Sequence, residues 1–482
     1  MTFSTWEGVF ATVFTALTQG VFAFGFAELL GATYFHYALL TAIPFLASVV
    51  QVLTGYLLQY HHRRKLFTTI TSVLFRAVWA PALVLPFLFT RGGALTAFLA
   101  LNAVSFVVFS ASANAWTGWM TNLVPSRVRG RYFGRRNLYA TISAVASLYL
   151  GGKFIDHWQE HALLRRIVEG TTALFHARPD VWHLKAATYG LVFLFGASMS
   201  VICGVLLSLQ TEPKRARVAR PKVASAGWLP EYRQVLGDPS FRGFLIFTIA
   251  FNFLNGIAVP FWIPFMREHV QVSIEKIAMF GMIGNSARIV ALMIWGKWID
   301  RFGSRPIMSL CITGAAIHPL FYVIASPTFV FPLYLDAISS GFMWAGIELA
   351  TFRLLLGAAR PERKEMYFAV HTVVSGLALA ATMLVAGHLV DDVMALGWVA
   401  SSRMPLVVIF VTVSVGRLVS HLLLRRVHEP KAASVEETAR WILGAPRKHV
   451  EPAPEVQDGL AAEASAPQAS VVEVKGIEPS TS

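Results

Sequence analysis

Apolar stretches long enough to cross a bilayer recur along this chain from residue 7 to residue 425, and no other feature restricts its fold so tightly. Inside hydrocarbon every backbone N–H and C=O must find its partner within the protein, and continuous apolar runs of this length do so as helices. The expected spans are 7–30, 36–59, 66–89, 93–120, 136–155, 186–209, 242–266, 275–299, 305–326, 328–355, 366–390 and 403–425. They number about twelve, so both chain ends emerge on the same side. The predicted fold class is all-α and polytopic.

Charge distribution chooses the side. Only 14% of the 482 residues are charged, against about 25% in a soluble protein. The net charge of +14 is gathered into short loops on one face: Arg63, Arg64 and Lys65; Arg127, Arg129, Arg131, Arg135 and Arg136; Lys214, Arg215, Arg217, Arg220 and Lys222; Arg301 and Arg305; Arg360, Arg363 and Lys364. Opposite loops hold Arg91, Arg267, Lys276 and Arg403, and the loop 156–185 mixes acids with bases. Retention of Lys and Arg in the cytoplasm places both termini there and the chain in the inner (plasma) membrane. Basic residues spread this way define a membrane topology and argue against a nucleic-acid partner. Residues 1–8 lack a basic signal region, so the first stretch reads as a retained span. Cys203 and Cys311 both fall inside apolar runs and read as packing residues.

The chain repeats itself. Gly296-Lys297-Trp298-Ile299-Asp300-Arg301-Phe302-Gly303-Ser304-Arg305 closes one apolar run, and a worn copy, Gly55 with Gln59, Arg63 and Arg64, closes another 241 residues earlier. Gln19-Gly20 matches Asn255-Gly256, and Pro125-Ser126-Arg127 with Tyr132-Phe133 matches Pro361-Glu362-Arg363 with Tyr367-Phe368, at offsets of 235 or 236. Matches at nearly one offset indicate a parallel duplication: two pseudo-symmetric six-helix bundles. The expected organisation is a first bundle over 1–209, a cytoplasmic connection over 210–240, a second bundle over 241–428 and a mostly disordered tail over 429–482. Residues 228–240 read as a surface helix. In the tail, Ser434 and Glu437 form a capping-box pattern before Trp441, which reads as a short helix on the membrane surface.

At this point the chain resembles the major facilitator superfamily over residues 1 to about 428. Gly296–Arg305 fits that family's loop motif between spans 8 and 9, and Arg129-Gly130-Arg131-Tyr132-Phe133-Gly134-Arg135-Arg136 resembles the loop after span 4 in bacterial members of unassigned substrate. The first motif copy departs, with Gln59 in place of the aspartate and His62 in place of the second glycine. Span 4 has no arginine and span 5 lacks the glycine–proline signature, which argues against multidrug efflux. The resemblance implies a secondary active or facilitative transporter of a small organic solute working by alternating access, with spans 1, 4, 7 and 10 lining the cavity.

Two sets of candidates follow. Gln19, Asn102, Asn114, Trp116, Asn252, Asn255, Trp344 and Glu348 are the cavity candidates. Amides bond hydroxyls or carboxylates and indoles stack on apolar faces, while as single residues the same groups read as interhelical glue or interfacial belts. Glu28, Arg76, Arg288 and Asp336 are charges within spans, where an unpaired charge costs several kcal/mol. Each is either a structural pair or transport chemistry, and Asp336 and Glu348 are the first carboxylates to consider for proton coupling. The gating set is Gly55, Gln59, Arg63, Arg64, Gly296, Asp300, Arg301, Gly303 and Arg305, with Asp300 expected to pair with Arg305 and to receive a neighbouring helix N-terminus, as a gate or as a static loop cap, while Arg63, Arg64 and Lys65 read equally as topology signals. Gly256, Pro260 and Pro264 are expected to break or bend span 7.

His157-x-x-Glu160-His161 spells a zinc-peptidase pattern but sits in a short loop and reads as a solvated loop helix. His318, His371 and His388 read as packed or hydrogen-bonded side chains. With no phosphate-binding glycine loop and no converging nucleophile and base, the expectation is no enzyme, no cofactor and no metal, with a monomer in the lipid bilayer carrying a small solute. A receptor, assembly factor or scaffold with the same fold is the second reading.

Overall fold

The computed structural model describes residues 2–51, 54, 64–123, 126–175, 180–211, 233–360, 363–397, 399, 401–427, 429 and 432–442. Among the described residues, twelve helices are long and apolar enough to cross a membrane. They are Thr2–Leu29, Tyr34–Gln51, Lys65–Leu83, Arg91–Ala113, Gly134–Glu160, Val181–Ser208, Pro239–Glu268, Ile274–Phe302, Ser304–Ile324, Phe331–Ala358, Met366–Ala395 and Arg403–Leu424, numbered here as spans 1 to 12. Each expected span has its helix. At 1.5 Å per residue, their 18 to 30 residues reach about 27–45 Å, enough for the hydrocarbon core.

Several helices are interrupted where the sequence removes a backbone bond. Span 1 breaks at Gln19-Gly20, where Gly20 has φ +57°, a conformation that side chains disfavour. Span 7 breaks at the matching place: one helix ends at Gly256, a short turn covers Val259–Phe261, and a second helix runs Trp262–Glu268. The proline at 260 cannot donate to the helix it interrupts. The two halves therefore share a mid-membrane break at the duplicated Gln/Asn-Gly pair. Span 3 ends earlier than expected, in short turns around Pro81 and Pro86.

Beyond the spans, a helix over Ala162–Phe175 lies between spans 5 and 6. Of the expected surface helix at 228–240, residues 228–232 lie outside the described residues and 233–236 are helical, and Asp238 then caps span 7 by accepting the Ser240 N–H at 3.0 Å. In the tail, Ser434 accepts the Glu437 N–H at 3.1 Å and opens the helix Val435–Ile442, at the place the capping pattern gave.

Packing follows the duplication: span 2 lies along span 11 and span 5 along span 8. These contacts are unequal along the membrane normal. At the end away from the termini, one apolar cluster joins both halves and includes Phe26, Tyr34 and Tyr37 of the first with Phe261, Phe265 and Ile274 of the second. The Tyr34 and Phe261 rings meet edge-on at 5.9 Å. A smaller cluster, Ala38 and Ala42 with Leu379, Ala380 and Met383, carries the contact of spans 2 and 11 further along the membrane normal; nearer the termini the apolar clusters separate, with Trp119, Met120 and Leu207 in the first half and Phe244, Trp295 and Ile312 in the second.

Candidate functional site

An ion pair between spans 8 and 10 places opposite charges at mid-depth. Arg288 is the central residue of span 8, and its guanidinium grips the Glu348 carboxylate with both terminal nitrogens, Nη1 to Oε1 at 2.9 Å and Nη2 to Oε2. The two side chains are 43% and 48% exposed. Asn285, one turn away, is also exposed and bonds the Gly281 carbonyl. Two charges at this depth escape the cost of hydrocarbon by pairing with one another or by facing water.

A second polar group is sealed inside the second half. Arg417 of span 12 is 2% exposed. Its Nε donates to the Asn255 side-chain oxygen at 2.8 Å and its Nη1 to the Ala315 carbonyl at 2.5 Å, with the guanidinium 5.3 Å from the Trp344 ring centre. Asp336 accepts from the Tyr322 hydroxyl at 3.0 Å. His318 is buried beside them, and neither of its ring nitrogens has a hydrogen-bond partner among the described residues.

The first half has its own buried group. Glu7 is flanked by Arg136 at 3.1 Å and Arg76 at 3.5 Å, all three largely withdrawn from solvent. Arg76 also donates to the Ser72 carbonyl and lies 4.3 Å from the Phe75 ring centre, while Arg136 stacks 4.7 Å from Trp116.

The remaining cavity candidates are distributed as follows. Gln19 stands half-buried at the break of span 1. Asn102 is 2% exposed, inside the first half, and its amide nitrogen has no partner among the described residues. Asn252 turns back to the Thr248 carbonyl. The Asn114 side chain lies outside the described residues, as do Gly55, Gln59, Arg63 and the side chain of Arg64. Of the eight cavity candidates, Glu348 meets the exposed pair, whereas Asn255 and Trp344 join the sealed Arg417 group.

The two halves are tied together at the end away from the termini. Arg267 bonds Glu28 through Nε at 2.9 Å and Nη2 at 3.3 Å. The Tyr34 hydroxyl bonds Glu268. Asp391 of span 11 accepts the Tyr34 and Phe35 N–H groups, both at 3.0 Å, and so caps span 2. Asp156 accepts the Glu275 N–H at 2.7 Å, and His157 bridges Glu160 and Glu275. Among the described residues, every hydrogen bond and ion pair between the halves lies at this end.

The loop motif is built differently from the expectation. Asp300 pairs with Arg353 of span 10, not with Arg305. The N-terminus of span 9 is received by Glu429, whose carboxylate accepts the Ser304 and Arg305 N–H groups at 2.8 and 2.7 Å. The Ala433 N–H bonds the Phe302 carbonyl, and Trp441 packs on Phe302 with the Arg301 guanidinium 4.6 Å from its ring centre. Gly303 passes under Ala432, and Gly296 lies against span 10 at Leu349. The tail helix thus docks on the motif instead of lying free on the membrane.

Sequence reasoning missed Glu7, Arg417, Asp391 and Glu429. Arg417 carried the usable signal, a lone cation in an apolar run, the same one that marks Arg76 and Arg288. The other three stand near span ends, where charge is ordinary.

The fold and these groups define a multi-pass membrane protein of two like six-helix halves, the architecture of a solute carrier and not of an enzyme. The chain belongs to the Major Facilitator Superfamily, whose family profile matches residues 8–381 and 258–457, and it is a transmembrane solute transporter. Among solved structures it is similar in fold to the nucleoside transporter NupG (11% identity, 88% of this chain and 98% of the other, TM-score 0.61). It is likewise similar to a bacterial homolog of the human lysosomal transporter Spinster (14%, 89% and 98%, 0.62) and to the xylose transporter XylE from E. coli (13%, 91% and 99%, 0.61). No curated protein matches the sequence.

Proposed function

We infer that the chain carries a polar organic solute through a cavity between its halves by alternating access, with the Arg288–Glu348 pair in the solute's path. The observation that carries this reading is the exposure of that pair at mid-membrane. A guanidinium and a carboxylate presented together suit a solute with hydroxyls or with both a donor and an acceptor. The cross-half contacts at one end and the separate apolar clusters at the other support a state open toward the termini. With Lys and Arg in the loops on that side, the open face is the cytoplasmic one and the membrane is the inner (plasma) membrane. The moving bodies are 1–209 and 241–428, joined by 210–240, in a monomer. Glu348 and Asp336 are the carboxylates proposed for proton coupling.

The test is a thermal-shift screen of purified protein with sugars, nucleosides, amino acids and organic acids, since a ligand of the native state raises its melting temperature by mass action. The expected result is a concentration-dependent shift that is lost in Arg288→Ala and in Glu348→Gln. A shift that both variants retain in full would remove the pair from the solute path.

A further inference from the structure

A narrow apolar slot opens on the lipid-facing side of the first half, away from the cavity between the halves. It encloses about 280 Å³ and is lined by Leu17, Leu150, Phe154, Ile167, Leu191 and Phe195, with Gly151 among the lining residues. A side chain at Gly151 would collide with Leu17 and Phe22, so its absence lets spans 1 and 5 meet closely at the slot. Leu150 and Phe195 are 63% and 59% exposed, so the slot faces hydrocarbon and not water.

Three features identify what fills it. The first is depth. From Ser147, at the slot, to Trp158, under the surface helix, span 5 rises about 16 Å, the thickness of one leaflet's hydrocarbon. The second is the helix Ala162–Phe175. One stripe, with Leu164 and Val168, packs against Trp158 and Ala187. Another stripe, Leu163, Ile167 and Leu174, is 69%, 44% and 81% exposed, and Ile167 also lines the slot. A helix with a second apolar stripe and no protein against it lies in the membrane interface. The third is charge. Lys153 stands one turn from Leu150 of the slot and Arg166 one turn from Leu163 of the exposed stripe; both cations are exposed, and neither is in an ion pair among the described residues.

We propose that this slot holds one acyl chain of an anionic phospholipid from the leaflet opposite the termini, with the phosphate at Lys153 and Arg166. The chain occupies the slot as a resident ligand beside the break of span 1, distinct from the transported solute and from lipid that merely coats the spans.

The experiment uses the full-length protein in nanodiscs containing a trace of phosphatidylglycerol with a diazirine near the end of one acyl chain. Crosslinked peptides are then mapped by mass spectrometry. The expected result is labelling concentrated on 147–154 and 191–195, well above that on the exposed face of span 12 around Val411 and Val415. Leu191→Trp, which fills the slot, reduces it about tenfold, the loss expected when two buried methylenes are excluded. Should Leu191→Trp fail to fold, Ile167→Trp closes the mouth instead. Lys153→Glu with Arg166→Glu removes the preference for phosphatidylglycerol over phosphatidylcholine. Labelling no stronger than on span 12, or unchanged by slot filling in a folded variant, would overturn the proposal, and headgroup preference surviving the double charge reversal would overturn its phosphate contact.

Discussion

Asp391 is the residue whose loss should most directly shift the balance between the two states of this carrier. Its carboxylate reaches from span 11 across the interface and accepts the first two free N–H groups of span 2, each at 3.0 Å. Removing a carboxylate cap costs about 1 kcal/mol, and losing its interaction with the helix dipole adds roughly 0.3–1 kcal/mol. Together Asp391→Ala should weaken the closed arrangement of this end by about 2 kcal/mol, or about thirtyfold in population. An open form present at about 3% would then rise to about half. The assay is double electron–electron resonance between spin labels on Cys variants of Glu169 and Leu396, exposed positions in opposite halves at this end. The native Cys203 and Cys311 are buried and stay unlabelled. A longer-distance population should appear in Asp391→Ala. The neighbouring Asp392→Ala should leave the distribution unchanged, because Asp392 pairs with His388 on its own helix. An unaltered distribution in a folded Asp391→Ala protein would refute the idea that this cap holds the end shut.

Three further outcomes are expected. A methyl group at Gly341 would lie 2.1 Å from the Gly284 carbonyl oxygen, so Gly341→Ala should force spans 8 and 10 apart and lower stability by roughly 1–3 kcal/mol, read as a fall in the thermal midpoint in detergent. Burial would push the Asp238 carboxyl up, but hydrogen bonds from Tyr367, Ser240 and Arg360 outweigh it and hold it at about 2. Its stabilisation is therefore complete above about pH 4 and fades as pH falls toward 2, so Asp238→Asn should melt lower than the parent at neutral pH and converge with it in acid. Truncation after residue 442 should leave the thermal midpoint unchanged, whereas truncation after residue 428 strips the cap from Ser304 and Arg305 and the packing of Trp441, and should lower it.

Much of the fold was legible in the chain. Length and apolarity gave twelve helices, and the matched pairs gave the halves. The Gln19-Gly20 and Asn255-Gly256 repeat marked both helix breaks, although only the one in span 7 was expected, because proline announces itself and a lone glycine does not. The Ser434–Glu437 pattern gave the tail helix but not its seat on Phe302 and Arg301, since capping is local and docking is not. Candidate charges were found by depth alone. Depth could say that Arg288, Arg76 and Asp336 needed explanation, but not that Arg288 would meet Glu348 in the open while Asp336 met Tyr322 in the core.

The sequence by itself determined the class, the number of crossings and the duplication, because hydrocarbon offers the backbone no hydrogen-bond partner and so enforces helices wherever an apolar run is long enough. Tertiary structure decided which charges stand exposed, which are sealed, and at which end hydrogen bonds and ion pairs tie the halves together. Those outcomes depend on how each helix is rotated about its axis and on partners 14 to 357 residues apart, as in Tyr322 with Asp336 and Tyr34 with Asp391. Nothing local to either member of such a pair encodes the meeting. It is fixed only when the helices pack.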